Sequence, residues 1–587
     1  MHHNQSDVPL VNIPVHLKEF VVEQDYERYT PIDHAVWRYV MRQNSSFLGT
    51  RAHGAYLEGL RTSGIRIDRI PNIREMNESL STIGWGAVTV NGFIPGTAFF
   101  DFQAHNILPI ACDIRQYEHI AYTPAPDIIH EAAGHAPIIK DETYRTYLQI
   151  FGSIGAKALS TWEDYEVYEA IRHLSIVKED PDATEEQIRF AEETLQQKLA
   201  LATEISEATH LSRLYWWTVE YGLIGELDQP QIYGAGLLSS VGESMNCLKP
   251  EVQKLPFSLE ACIQTDFDIT KPQPQLFVCR DFTELIDAVQ EYAKTMAVNR
   301  GGTESLQKAL RMKQTTTSVY RSGLQVSGTL SQVLCDDSGN AIYLKTSGPT
   351  ALAVDNQELS GHGKDYHRDG FGSPIGRLAG EETPLEAFTD EQLERVGLIT
   401  DRSATITFAS GVNVTGRVRY VRREKGSIVL IGFDECTVTY RDQVLFMPDW
   451  GTYDMAVGES IISVFAGAAD RHRFATGTHK PSAHVAKRPT FTEQQMELHT
   501  LYQRVRNLRE QCMNGEELVL AVQEIGAQID RVGPEDWLLR LELLELLHAQ
   551  NEGKEDQARL LGQLHELADK HPENGDLIRN GLSLLHD

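Results

Sequence analysis

Pro126-Asp127-Ile128-Ile129-His130-Glu131-Ala132-Ala133-Gly134-His135-Ala136-Pro137 is the stretch on which the reading of this 587-residue chain turns. Asp127 stands where a helix N-cap would stand, and the helix it opens carries His130 and His135. The two imidazoles are about one and a half helical turns apart. They converge on one metal only if the helix end is suitably placed. Gly134 removes a side chain beside them. The spacing is not the four-residue spacing of the zincin motif. On these residues alone the pair is either metal-ligating or two surface or core histidines.

A metal needs further ligands, preferably an acid. Tyr215-Trp216-Trp217-Thr218-Val219-Glu220-Tyr221-Gly222-Leu223 holds one charged residue, Glu220, in an aromatic and apolar run. A carboxylate buried there is costly unless it is paired or metal-bound. The alternative is an exposed helix glutamate. His130, His135 and Glu220 together would make two imidazoles and one carboxylate, a facial set that leaves positions open and suits non-haem Fe(II) and O2.

The composition is that of globular protein, with 41% hydrophobic and 23% charged residues. The formal charge of −29 argues against a general nucleic-acid binder. No apolar run is long enough for a membrane helix, and Met1 to Leu17 lacks an apolar signal core. Seven scattered cysteines, an odd number, point to a reduced, cytoplasmic protein.

Several separate motifs in order resemble the pterin-dependent aromatic amino acid hydroxylases. They are Asp113-Ile114-Arg115, Tyr122-Thr123-Pro124-Ala125-Pro126-Asp127, His130-Glu131 to Gly134-His135, Tyr215 to Leu223, and Tyr233-Gly234-Ala235-Gly236-Leu237-Leu238-Ser239-Ser240-Val241-Gly242-Glu243. Weaker echoes are Trp37, His53, Ile70-Pro71, Gly84-Trp85, Val90 and Gly92. The resemblance spans about Thr30 to Val298, and it implies that His130, His135 and Glu220 are the iron ligands. It puts Arg115 on the arginine that holds the substrate carboxylate, a bidentate task suited to a guanidinium. Thr123, Trp216, Gly236 and Ser239 fall on the amino-acid pocket, with Ser239 also placed to orient a ligating histidine. Gly92-Phe93-Ile94, Phe99 and Glu131 fall on the pterin side, where core packing is an equal reading of Phe99.

The implied activity is ring hydroxylation of an aromatic amino acid by O2 with Fe(II) and a tetrahydropterin. One oxygen atom goes to the pterin and the other to the ring. Val278, where tyrosine-selective members carry an acid, leans towards phenylalanine as substrate; tryptophan and tyrosine stay open as alternatives. Ala132-Ala133, Tyr221 and Asp113 depart from the family's usual residues. Two rivals stand beside this reading. One is a zinc peptidase of the His-Glu-x-x-Gly-His type, with Glu131 activating water. The other is a degenerate, non-enzymatic scaffold.

The fold expected is multidomain: an extension over 1–28, a mainly α catalytic domain over 29–305, a β-rich domain over 306–470, a linker over 471–490 and an acidic helical domain over 491–587. Helices are expected around Asp141–Leu174, Glu185–Tyr221 and Asp281–Met296, and another over Pro384–Val396. Ser322-Gly323-Leu324-Gln325-Val326-Ser327-Gly328 resembles Ser410-Gly411-Val412-Asn413-Val414-Thr415-Gly416, 88 positions later, which suggests two related β modules. Asp365–Gly380 is rich in Gly and His. The last zone carries 19 acids and 9 bases, read as a solvated acidic surface. The residues before Tyr29 are too few for the regulatory domain that precedes the catalytic one in the family's animal members. The C-terminal half is therefore expected to serve regulation, partner binding or homo-oligomer assembly.

Overall fold

The computed structural model describes residues 11–92, 94–120, 127–179, 183–268, 271–475 and 491–585. Its first long helix, Pro31–Leu48, starts as the sequence demands. Thr30 accepts the Asp33 N–H at 3.2 Å, and the Asp33 carboxylate accepts the Thr30 N–H at 2.7 Å, satisfying two orphan donors reciprocally. Trp37, Val40 and Met41 are buried on it. The two long helical zones are present but broken, as Glu142–Gly155 with Trp162–Glu179, and Glu185–Leu201 with Glu207–Tyr215. The second zone ends in a π-helical turn, Trp216–Glu220. Asp281 caps Phe282–Ala293.

Two small sheets complete this half. Val21–Val22 pairs antiparallel with Gly86–Val90, which runs parallel to Ile107–Ala111. Part of the N-terminal extension is thus built into the catalytic half. The other sheet has the order Gln229–Ile232, Leu223–Glu226, Gln275–Cys279, Gln253–Pro256.

The helix Gly302–Met312 leads into two antiparallel sheets. One contains the meander Thr315–Tyr320, Leu324–Cys335, Ala341–Val354, with Ile461–Ala466 beside its first strand. The other contains the meander Ser403–Thr407, Val412–Glu424, Ser427–Tyr440, with Tyr453–Ala456 on its last strand. The two similar sequence segments occupy the same place in the two meanders. Each starts at the first turn, at Gly323 (φ 94°) and Gly411 (φ 88°), and runs into the second strand. Lys425 and Gly426 close a hairpin with φ 49° and 88°, the positive pair whose twist matches the flanking strands. The helix expected over Pro384–Val396 is shorter, Asp390–Arg395, because Leu385–Ala387 forms a separate 3-10 turn.

Five helices, Glu493–Glu510, Gly515–Val532, Trp537–Gln550, Lys554–Lys570 and Pro572–Ser583, form the last unit. They do not present a purely solvated surface. Val505, Leu541 and Leu544 belong to the same apolar core as Val36, Val40 and Met41. Glu542 and Glu545 are buried at the junction, where Arg38 donates to both. Arg509 also pairs with Glu542, at 2.9 Å. No helix among the described residues is long and apolar enough to cross a membrane. Of the expected linker, 476–490 lies outside the described residues. Arg471–Phe474 is a helical turn whose Arg471 pairs with Asp101 of the catalytic half and donates to the Ala156 carbonyl at 2.8 Å.

Candidate active site

Both segments that carry the candidate ligands are π-helical. Ile129–His135 follows the residue Asp127, which accepts the His130 N–H at 3.0 Å. The i→i+5 bonding of a π-helix brings residues five apart onto one face. An α-helix would leave them half a turn out of line. That is why His130 and His135 converge: their Nε2 atoms lie 3.3 Å apart. The second π-turn swings Glu220 towards them. One carboxylate oxygen lies 3.2 Å from His130 Nε2 and the other 3.3 Å from His135 Nε2. Gly134 lets the first segment pack against the turn Ala235–Leu238, since a Cβ there would sit 2.5 Å from the Ala235 carbonyl oxygen.

The three side chains differ in access. His135 is 1% exposed, Glu220 11% and His130 22%, so the cluster opens on the His130 side. Burial works against the charge on His130, but the Glu220 carboxylate outweighs it and raises the imidazole to about 9. Burial likewise opposes the Glu220 charge, and His135 and His130 together hold that carboxyl well below its usual range. Ser239 Oγ donates to the Ala235 carbonyl at 2.8 Å and lies 3.1 Å from His130 Nδ1. With its proton so used, the hydroxyl accepts from Nδ1–H, which leaves the Nε2 lone pair facing the cluster.

The donor set fits a metal ion. Two ligands about 2.1 Å from one ion and at right angles lie about 3.0 Å apart, close to the 3.2–3.3 Å spacing here. Glu131 Oε2 is a buried oxygen with no hydrogen-bond partner, 3.8 Å from His135 Nε2. Burial raises its carboxyl. Its carboxylate lies within 4.8 Å of the ligand atoms of His130 and His135, so it borders the same cluster.

Arg115 is held by Asp127 in a fork. Nε donates to one carboxylate oxygen at 2.7 Å and Nη2 to the other at 3.0 Å, while Nη1 donates to the Ile120 carbonyl at 3.3 Å. These bonds use three of the five guanidinium N–H groups. Burial opposes the Asp127 charge, but Arg115 outweighs it and lowers the carboxyl. Asp127 thus has two tasks, capping the ligand helix and fixing Arg115. Only the first is signalled in the sequence.

The remaining expected site residues are placed as follows. Trp216 stacks on Tyr221, centroids 4.5 Å apart, and on Phe267 at 4.4 Å, and its Nε1 is a buried donor without an acceptor. At Gly236 a Cβ would lie 3.0 Å from the Tyr221 ring and 3.1 Å from the Glu220 carbonyl, so the close approach seen there is by Tyr221 and the Glu220 backbone. Gly92 has φ 60°. Ile94 packs near Leu17, Val88 and Val90. Phe99 meets Phe100 and Tyr215 edge-on at 5.9 and 5.8 Å. Phe93 and Thr123 lie outside the described residues.

One contact near the site had no signal in the sequence. Tyr117, two residues after Arg115, packs against Trp537 of the last unit at 5.9 Å. Trp537 also meets Tyr39 edge-on at 5.3 Å.

A family model described as biopterin-dependent aromatic amino acid hydroxylase matches residues 22–180 and 166–301. The phenylalanine-4-hydroxylase of Chromobacterium violaceum is 29% identical over 272 residues, which are 46% of this chain and 77% of that one. That of Pseudomonas aeruginosa is 29% identical over 271 residues, 46% and 86% of the two chains. That of Bos taurus is 28% identical over 273 residues, 46% and 51%. A solved Chromobacterium violaceum structure, described as holding iron (III) and oxidised 7,8-dihydrobiopterin, aligns with a TM-score of 0.38 at 29% identity over 47% of this chain and 86% of that one. None of these matches is to a peptidase, and the zinc-peptidase reading is set aside. Over residues 22–301 the chain is similar to the biopterin-dependent aromatic amino acid hydroxylases, phenylalanine-4-hydroxylases among them.

Proposed function

We propose that the chain hydroxylates the ring of an aromatic amino acid, phenylalanine to tyrosine, using O2, non-haem Fe(II) and a tetrahydropterin. The observation that carries this reading is the convergence of His130, His135 and Glu220 within 3.3 Å, inside the region that the hydroxylase family model matches. Bound together, iron and pterin supply the electrons that divide O2 between the pterin and the ring.

The chain's own residues bind and orient. His130, His135 and Glu220 hold the iron, and Ser239 fixes the His130 tautomer. Arg115, anchored by Asp127, offers its remaining N–H groups to the substrate carboxylate. Thr123, Trp216 and Gly236 shape the amino-acid pocket. Gly92, Phe93, Ile94 and Phe99 line the pterin side. Glu131 joins them there, and its burial favours a protonated carboxyl that can donate to the cofactor. Val278, fully enclosed in its strand, brings no acid to the pocket and supports phenylalanine over tyrosine. Competition of phenylalanine, tryptophan and tyrosine for the Fe(II)-loaded chain, with products read by mass spectrometry, tests the choice. Tyrosine is the expected main product. Hydroxytryptophan or dihydroxyphenylalanine in excess would overturn the substrate, and no product from any of the three would overturn the reaction.

The same reading divides the chain into 1–28, 29–305, 306–470, 471–490 and 491–587. Leu306, Ala309 and Met312 share the sheet core with Leu324 and Val326, which favours a β-rich unit that includes the helix Gly302–Met312. The matching meanders support two related β modules. The helical unit braces the catalytic one through Trp537 and the Arg38–Glu542 pair. Met496, Leu520 and Leu561 stay exposed on its helices, a surface that a second copy would cover; sedimentation as a single chain would exclude this. All seven cysteines are free thiols, in keeping with a cytoplasmic protein.

A further inference from the structure

The two sheets of the β-rich half enclose a second group of metal-ligating side chains, formed by residues that hydroxylation leaves unused. The loop after Gln357–Glu358 carries His362 and His367, again five residues apart. It is pinned along the strand Ala341–Val354. Leu352 N–H donates to the His362 carbonyl at 2.9 Å and Thr350 N–H to the His367 carbonyl at 3.0 Å. Both histidines are 8% exposed. Their rings face residues of the other sheet, Tyr420 and Asp454. His362 Nδ1 lies 3.2 Å from His367 Nε2. His362 Nε2 lies 3.4 Å from the Tyr420 oxygen, which donates to Asp454 Oδ1 at 2.5 Å. One donor atom each from His362, His367 and Asp454 lies within 4.8 Å of the other two. The Tyr366 ring covers the group, 5.4 Å from His362 and 4.7 Å from His367.

We propose that His362, His367 and Asp454 form a second metal site that takes one divalent transition cation. Asp454 is 4% exposed; the Tyr420 phenol donates to it, and Arg419 attracts it without bonding to it, being engaged with Thr452 and Asp434. A buried carboxylate so placed is only partly compensated. The two imidazole nitrogens that face each other at 3.2 Å are donors a cation takes in their neutral state. A proton shared between the two rings would explain their approach but would leave Asp454 only partly compensated. A cation does both. Two imidazole nitrogens and one carboxylate suit zinc, iron, cobalt or nickel rather than calcium or magnesium. Three protein ligands leave a position for water. The Tyr420 hydroxyl then orients Asp454 from outside the coordination sphere.

The test uses the full chain, stripped by a chelator and titrated with Co2+, with bound metal counted after equilibrium dialysis. The wild type is expected to hold two ions per chain. A His130→Ala/Glu220→Ala chain, blank at the first site and unaltered in the β-rich half, is expected to retain one, with a cobalt–imidazole absorption spectrum. His362→Gln/His367→Gln is expected to lose that one. Should that double variant not fold, Asp454→Asn, which keeps shape and hydrogen bonding, reads the same loss. One ion in the wild type and none in the chain blank at the first site would show a proton-sharing pair only and overturn the proposal. Retention of the second ion by both β-site variants would overturn it as well.

Discussion

Trp537→Ala measures whether the last helical unit sets the geometry of the substrate loop. Trp537 is 1% exposed and touches Tyr39 and Tyr117 at 5.3 and 5.9 Å. Truncating a buried tryptophan costs about 3–5 kcal/mol, so the docking of the helix Trp537–Gln550 should weaken by that order. The effect on function is smaller and separable. Only the Tyr117 contact reaches the Arg115 loop, and an aromatic pair contributes about 0.5–1.5 kcal/mol. If that energy holds Arg115 ready for the substrate carboxylate, KM for phenylalanine should rise about 2- to 12-fold. The kcat should stay within about twofold, because no iron ligand moves. Initial rates over a phenylalanine series give the split, and hydrogen exchange over 113–120 gives the loop's opening. Trp537→Phe, which keeps an aromatic edge, should restore most of the KM. An unchanged KM in a chain whose 113–120 amides exchange faster would refute the coupling. A fall in kcat at constant KM would refute it equally.

Other consequences follow from single contacts. Ser239→Ala removes the acceptor that fixes the His130 tautomer, and Fe(II) affinity by titration should fall about 10- to 100-fold, while Ser239→Thr should retain more of it. Gly134→Ala drives a Cβ to 2.5 Å from the Ala235 carbonyl; an unfolding free energy lowered by about 1–3 kcal/mol is expected from denaturation, together with weaker iron binding. Burial raises Asp536 from 3.8 to about 6, so its protonated form favours the folded chain. That contribution is full below pH 3.8 and is lost as pH rises to about 6, on the order of 3 kcal/mol. Asp536→Asn removes this slope, so the unfolding free energy of the variant minus that of the wild type should grow from pH 4 to pH 7. A flat difference would contradict the burial argument. Asp127→Ala strips the N-cap of the ligand helix and leaves Arg115 buried without its counter-charge; a loss of about 3–5 kcal/mol with raised KM is expected from denaturation and rate measurements.

The candidate cluster of His130, His135 and Glu220 was legible because its chemistry is local. Two histidines beside a glycine, and a lone acid in an apolar run, are unusual enough to read directly. Their convergence was not legible, because an α-helix predicts the wrong phase for a spacing of five. Only the π-helical winding of Ile129–His135 and Trp216–Glu220 aligns them. The β hairpins were readable at Lys425-Gly426, where turn chemistry is decided by two residues. Long-range pairings left no such trace. Nothing in the sequence ties Arg38 to Glu542 or Tyr117 to Trp537, since complementary charges and aromatics are common and distance in the chain carries no signal. The same holds for Asp454, which meets His362 and His367 only when one sheet faces the other. The acidic tail was read as solvated because net charge records composition, not which glutamates are buried.

The proposed function requires that His130, His135 and Glu220 hold the iron at which O2 is divided. Its most direct test is turnover of phenylalanine by the Fe(II)-loaded chain with a tetrahydropterin under oxygen-18 gas, with the mass of the tyrosine recorded. The account predicts tyrosine carrying one labelled oxygen from the wild type, and none from folded Glu220→Ala or His135→Ala chains. Unlabelled tyrosine, or labelled tyrosine formed as fast by Glu220→Ala as by the wild type, would contradict it.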